Sequence, residues 1–292
     1  MSDKMKNLIV RSITGVFFVT AVVTCFLRPE AMMFLFALVT GLTIWEFTGI
    51  VNNLENVTVN RLVATVAGVY FFLAMAGFCA GMVSSAAFIP YLLTVVWLFV
   101  SELYTRAVNP IDNWAYTMLS QMYIALPLSM INVLAFQTVD GMVVYNRLLP
   151  LSIFIFLWTN DSGAYCCGSL LGRHKLFPRV SPGKSWEGSV GGGLLVLAVA
   201  AAIAVFACDD NGGTGMVELL RWMGLGLVVV VFGTLGDLVE SLFKRTIGIK
   251  DSGNILPGHG GMLDRFDSTL MAVPAAVVYL YTFEMVVEAL AR

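Results

Sequence analysis

Residues 250–267 read KDSGNILPGHGGMLDRFD, a dense collection of reactive groups in a chain that otherwise avoids charge. Asp264 offers a carboxylate there, flanked by Lys250 and Arg265. Gly253, Pro257, Gly258, Gly260 and Gly261 predict a tight loop whose backbone N–H groups can approach an anion. Just upstream, GTLGDLVESLFKR (233–245) sets Asp237, Ser241 and Lys244 at i, i+4 and i+7 on one helical face, with Glu240 beside them and Arg245 extending the stripe. Asp237 and Asp264, presented from neighbouring helices, are the hard oxygen donors that Mg²⁺ prefers, an ion that keeps several waters and takes further ligands from phosphate. Lys244, Arg245, Lys250 and Arg265 would surround that phosphate. The plainer account of the 237–244 stripe is an internal ion pair that fixes helix register. Asp267 reads equally well as an acid capping the N-terminus of the following helix.

Two further stretches carry polar groups into apolar surroundings. WTNDSGAY (158–165) places Asn160 and Asp161 inside an apolar helix, which makes Asp161 a third candidate for an ionic site. RVSPGKSWEG (179–188) invites comparison with a phosphate-binding P-loop, but that motif needs glycine where Pro178 stands and a strand before it. What remains is Ser181, Gly183, Lys184 and Ser185 immediately ahead of a helix, either an anion clamp or a positively charged topogenic loop. His259 could be a general acid, a phosphate donor or loop filler, and His174 reads as a solvated surface residue. The five cysteines lack a CxxC spacing and read as small apolar fillers.

The elements that must position these groups are membrane helices. The chain is 58% hydrophobic and 12% charged, with a mean hydropathy of +0.84, where a soluble domain has about 25% charged residues. Its net charge of −2 argues against a nucleic-acid partner. Nine runs have the apolar length of a crossing: Leu8–Phe26, Ala31–Val51, Leu62–Met82, Ala87–Tyr104, Tyr116–Ala135, Leu148–Leu170, Gly188–Cys208, Leu219–Lys244 and Thr269–Leu290. The expectation is an all-α integral membrane protein. The first run follows Lys4, Lys6 and Arg11 but lacks a small-residue cleavage site, so it reads as a retained helix.

With the N-terminus in the cytoplasm and the C-terminus outside, every lysine and arginine except Arg28, Arg147, Arg221 and Arg292 falls on the cytoplasmic side, and the acids Asp209, Asp210 and Glu218 fall outside. Residues 1–147 then form a scaffold of about five helices, and 148–292 a working region of about four. In the scaffold, Glu46 near the end of its run reads as reaching the interface, Gln121 is a second polar exception, and Pro127 predicts a kink. In the working region Asp161, Asp237 and Glu240 lie inside apolar runs. Each charge costs about 2.5–3.5 kcal/mol at mid-bilayer, so such residues are expected to face a polar cavity or an ion.

The order Ser241, Lys244, Arg245, then Lys250, Asp251, Ser252, Gly253, then Pro257, Gly258, His259, Gly260, Gly261, then Asp264, Arg265, Asp267 resembles the signature of the phosphatidate cytidylyltransferases, also called CDP-diglyceride synthases. TNDSGAY and SPGKSWEG extend the similarity over roughly residues 155–270. The resemblance implies the reaction of CTP with phosphatidate to give CDP-diacylglycerol and pyrophosphate, at the cytoplasmic face of a bacterial inner membrane. It also implies Mg²⁺, room for K⁺ beside it, and a homodimer. By the same resemblance Asp237 and Asp264 are metal ligands with Asp161 close by. Lys244, Arg245, Lys250 and Arg265 hold phosphates, and Ser181 and Lys184 line the substrate site, with Ser241 and His259 beside them. A CDP-alcohol phosphotransferase would show a D-G-x-x-A-R run, which is absent. A polyprenol kinase would use the same charged collar. A transporter would gather its charges near mid-membrane, whereas these crowd one face.

Overall fold

The computed structural model describes residues 3–105, 107–207, 215–255 and 260–291, with side chains from residue 12 onward. Arg106, Asp209, Asp210, Pro257, Gly258, His259 and the side chains of Lys4, Lys6 and Arg11 lie outside the described residues. Helices dominate: α1 (Asp3–Cys25), α2 (Pro29–Val51), α3 (Arg61–Cys79), α4 (Ile89–Thr105), α5 (Pro110–Ala135), α6 (Leu148–Leu171), α7 (Trp186–Ala207), α8 (Met216–Ile247) and α9 (Leu263–Ala291). Seven helical segments among the described residues are long and apolar enough to cross a membrane: α2, α3, α4 with its leading turn, α5, α7, α8 and α9. The described side chains of α1, Ser12–Cys25, also form an apolar helical stretch. In α6, Asn160 and Asp161 interrupt the apolar run. The protein is an integral membrane protein, mostly helical.

Two departures from an all-helical reading are short antiparallel ribbons. β1 (Phe136–Val139) pairs with β2 (Met142–Tyr145), and β3 (Lys175–Phe177) pairs with β4 (Ser181–Ser185). Asp140 and Gly141, both at positive φ, make the tight turn of the first ribbon. A π-helical turn at Ser120–Ala125 lies just before Pro127. Proline has no N–H to give to the preceding turn, so the helix ladder lacks one bond there.

The chain divides into two compact units, residues 1–150 with 246–266, and residues 151–245 with 267–292. In the first unit α2, α3 and α5 pack closely, and the ring of Phe266 lies 5.7 Å from that of Phe18 and 6.0 Å from that of Phe36. Gln121, buried on α5, donates to the Ala64 carbonyl of α3 at 3.0 Å. Such a bond satisfies an amide that lipid could not.

In the second unit glycines set the helix spacing. A Cβ at Gly192 of α7 would fall 2.6 Å from Asn160 Oδ1 of α6, and one at Gly226 of α8 would fall 3.2 Å from Val196 and Ala200 of α7. At Gly236 of α8 the added atom would lie 2.7 Å from the Asp267 carbonyl of α9. Small residues let helix backbones approach where lipid gives no hydrophobic drive to associate. Gly236→Ala is therefore expected to lower stability by about 1–3 kcal/mol, the usual cost of overpacking. Thermal unfolding in detergent checks this, and an unchanged melting temperature would refute it.

Candidate functional site

The polar groups of the second unit gather where α6, α7, α8 and β4 meet. Helix α8 has 32 residues, or about 48 Å at 1.5 Å per residue. That exceeds the roughly 30 Å of hydrocarbon, so several turns of α8 project into a polar zone. On it, the Ser241 hydroxyl donates to Asp237 Oδ1 at 3.2 Å. The other oxygen of Asp237 pairs with Lys184. Lys184 stands on β4, one residue before the ribbon hands over to α7. The ribbon is fixed in turn by Glu187 in the first turn of α7. Its carboxylate accepts the backbone N–H groups of Arg173 and His174 at 3.2 Å and lies 2.5 Å from His174 Nδ1. His174 itself is well exposed, as expected of a surface residue.

Beside this ion pair lies a cavity of about 430 Å³, within the usual range for small-ligand sites. Asn160, Asp161, Tyr165, Lys184, Ser185 and Thr234 are among its walls, together with Gly168, Gly183 and Gly188. Asn160 is buried, and its Oδ1 has no hydrogen-bond partner among the described residues.

Asp267 belongs with this group. The charges of Asp237, Asp161 and Lys244 all act on it. As a helix cap it is displaced, because α9 begins at Leu263 and Asp267 stands in its second turn. Lys244 pairs with Glu240 at 2.7 Å, and the Glu240 side chain is fully buried. That is the internal ion pair weighed above as the plainer account of the stripe. Arg245 is exposed at the end of the same helix, and Ser181, at the start of β4, is half-buried.

In the first unit, Asp264 closes the glycine-rich loop. Its carboxylate accepts the Ser252 N–H at 3.0 Å and the Gly261 N–H at 2.8 Å, while its own N–H donates to the Ser252 hydroxyl at 3.3 Å. Gly260 adopts φ +80°, a backbone that glycine takes without strain. Lys250 and Arg265 are exposed on either side. His259 is outside the described residues.

Sequence reasoning missed two features. Glu46 does not reach for the interface. It is 7% exposed and accepts the Leu263 N–H at 2.8 Å, 217 residues along the chain. The Lys184–Asp237 pair likewise joins segments far apart in sequence, and neither has a local spacing that could announce it.

Among the described residues, no three His, Cys, Asp or Glu side chains lie close enough to enclose a metal ion alone. Mg²⁺ does not require such a cage, since one or two carboxylates plus substrate phosphate and water complete its shell. Asp267, which feels the charges of both Asp237 and Asp161, marks where carboxylates of that donor type gather.

A model of the cytidylyltransferase family matches residues 9–283. Among curated proteins, the phosphatidate cytidylyltransferase of Haemophilus influenzae is 45% identical over 139 residues, covering 48% of this chain and 47% of that protein. The phosphatidate cytidylyltransferase of Staphylococcus aureus is 46% identical over 127 residues, 44% of this chain and 46% of that protein. The chain thus spans about half the length of the curated relatives it matches.

Proposed function

The chain belongs to the cytidylyltransferase family, and from that membership we propose that it joins CTP to phosphatidate, forming CDP-diacylglycerol and releasing pyrophosphate. A phosphate oxygen of the lipid attacks the α-phosphorus of CTP. The bond from that phosphorus to the bridging oxygen breaks, and pyrophosphate leaves with the electron pair. The nucleophile is already anionic near neutral pH, so no strong base is needed. The barrier is repulsion between two anions, and the protein's task is alignment and charge neutralisation.

The observation that carries this reading is the Lys184–Asp237 pair beside a cavity lined by Asn160, Asp161 and Thr234. Lys184 is held ready by a carboxylate and can turn to an arriving phosphate. Asp237, released from it, has an oxygen free for a divalent cation. Asp237 and Asp161 would hold Mg²⁺, with Asp267 beside them, and the bound ion would offset phosphate charge. Ser241 keeps Asp237 oriented by its hydrogen bond. Arg245, Lys250 and Arg265 supply positive charge at exposed positions for the nucleotide phosphates, and Lys244 adds to it from its pair with Glu240. Ser181 contributes a hydroxyl at the start of β4. Nine crossings with the N-terminus in the cytoplasm, a site on the cytoplasmic face and a homodimeric assembly complete the proposal. The lysine and arginine distribution supports that orientation.

The test is reconstitution of the purified chain in mixed micelles with phosphatidate, labelled CTP and Mg²⁺. Pyrophosphate release that needs both substrates and stops with EDTA is expected. Solute uptake into vesicles without pyrophosphate release would instead favour a transporter. Within this assay Lys184→Ala is expected to raise the KM for CTP or phosphatidate about tenfold, equivalent to about 1.4 kcal/mol of lost phosphate binding. Unchanged kinetics would leave Lys184 a topogenic charge.

A further inference from the structure

We infer that Glu46 of α2 is a positioning residue for residues 252–253 and 260–263, fixing by its carboxylate the point where the chain enters α9. The inference rests on the proposed nucleotidyl transfer and adds to it a residue from the N-terminal half.

The geometry is specific. The first N–H groups of any helix have no partner within it and favour a negative charge. At α9 the N–H of Leu263 is taken by Glu46 Oε2 at 2.8 Å. The same carboxylate bounds the loop on two other sides, since a Cβ placed at Gly253 or Gly261 would collide with it. Those two glycines thus have a steric reason to be glycine that phosphate binding alone does not give. A carboxylate this deeply buried is costly unless it is bonded. Among the described residues no lysine or arginine forms a salt bridge with it. Arg61, which reaches the adjoining Trp45, is spent on that residue, stacking 4.0 Å from its ring and donating to its carbonyl at 2.8 Å. What Glu46 holds is therefore the loop. Leu263 is the residue next to Asp264, whose carboxylate receives the Ser252 and Gly261 N–H groups. Loosening Leu263 displaces Asp264 and the charges beside it, and a misplacement of about 1 Å can cost a hundredfold in rate.

The full chain in detergent serves for the test, with Glu46→Ala, Glu46→Gln and Gly253→Ala compared with wild type. Glutamine keeps an oxygen for Leu263, and alanine does not. Glu46→Ala is expected to lower kcat roughly 30- to 100-fold with KM for CTP changed less than about threefold, and Glu46→Gln to stay within about threefold of wild type. Hydrogen exchange is read alongside. Amides in 252–255 and 260–263 are expected to exchange at least about tenfold faster in Glu46→Ala, with α3 unaffected. Equal loss in the alanine and glutamine variants, or undisturbed exchange in Glu46→Ala, would overturn the inference. If Glu46→Ala does not fold, Gly253→Ala decides, since its methyl should push the carboxylate off Leu263. Wild-type exchange and activity in that variant would count against the role of Glu46. Wild-type protein that releases no pyrophosphate would sink the proposed reaction instead, and the exchange data would still judge Glu46.

Discussion

Asp237→Asn is expected to cut pyrophosphate release from CTP and phosphatidate by about a thousandfold, roughly 4 kcal/mol of transition-state stabilisation. Two physical losses add up at this position. Asparagine offers one neutral oxygen where a divalent cation needs a charged one, so affinity for Mg²⁺ falls. The amide also cannot anchor the Lys184 ammonium, which in the native protein is paired with Asp237. The Ser241 hydroxyl, now bonded to Asp237 Oδ1 at 3.2 Å, can still find the remaining carbonyl oxygen. The fold is therefore expected to persist, with a single peak on size exclusion and a melting temperature near that of wild type. The decisive measurement is kcat across a Mg²⁺ titration. A loss of metal affinity appears as a shifted half-saturation point, and a variant with wild-type kcat and wild-type Mg²⁺ dependence would remove Asp237 from the reaction.

Asp264→Asn is expected to lose two to three orders of magnitude in turnover, with the protein still inserted and folded. In the native loop both oxygens of Asp264 accept backbone N–H groups, from Ser252 at 3.2 and 3.0 Å and from Gly261 at 2.8 Å. Bonds from amides to a charged acceptor are worth about 1.5–3 kcal/mol each. Asparagine turns one of those acceptors into a donor facing another donor. The segment that carries Lys250 and Asp251 on one side and Arg265 on the other then loses its fixed shape. Asp264→Glu separates charge from geometry. It restores the charge but places it one methylene further out, so activity near wild type would mean that charge alone matters. The assay is pyrophosphate release, paired with hydrogen exchange of residues 248–263. Full turnover in Asp264→Asn would remove the acid from the site altogether.

Much of this was legible in the amino-acid order. Long apolar runs interrupted by few charges admit little besides membrane helices, because unpaired backbone groups are too costly in hydrocarbon. The i, i+4 spacing of Asp237 and Ser241 follows from helical geometry, and their hydrogen bond is there. The same rule at i, i+4 joins Glu240 to Lys244. Gly253, Gly260 and Gly261 announced irregular backbone, and the described residues around them are non-helical. The β3–β4 ribbon was not announced. SPGKS has poor strand propensity, and its strand form depends on the antiparallel partner at Lys175–Phe177 and on Glu187 gripping the chain at Arg173 and His174.

By itself the sequence determined what kind of molecule this is, a helical membrane protein with an acid-and-base signature near its C-terminal end, because hydrophobic length and local spacing are properties of the chain alone. Tertiary packing decided which groups each acid meets. Asp264 closes the glycine loop, Asp267 shares the charge environment of Asp161 and Asp237, and Lys184 comes to rest on Asp237. It also grouped residues 246–266 with the first 150 and buried Glu46 against that segment. A carboxylate 217 residues from its hydrogen-bond donor leaves no periodicity to read. Only the close approach of backbones that glycine permits brings the two together.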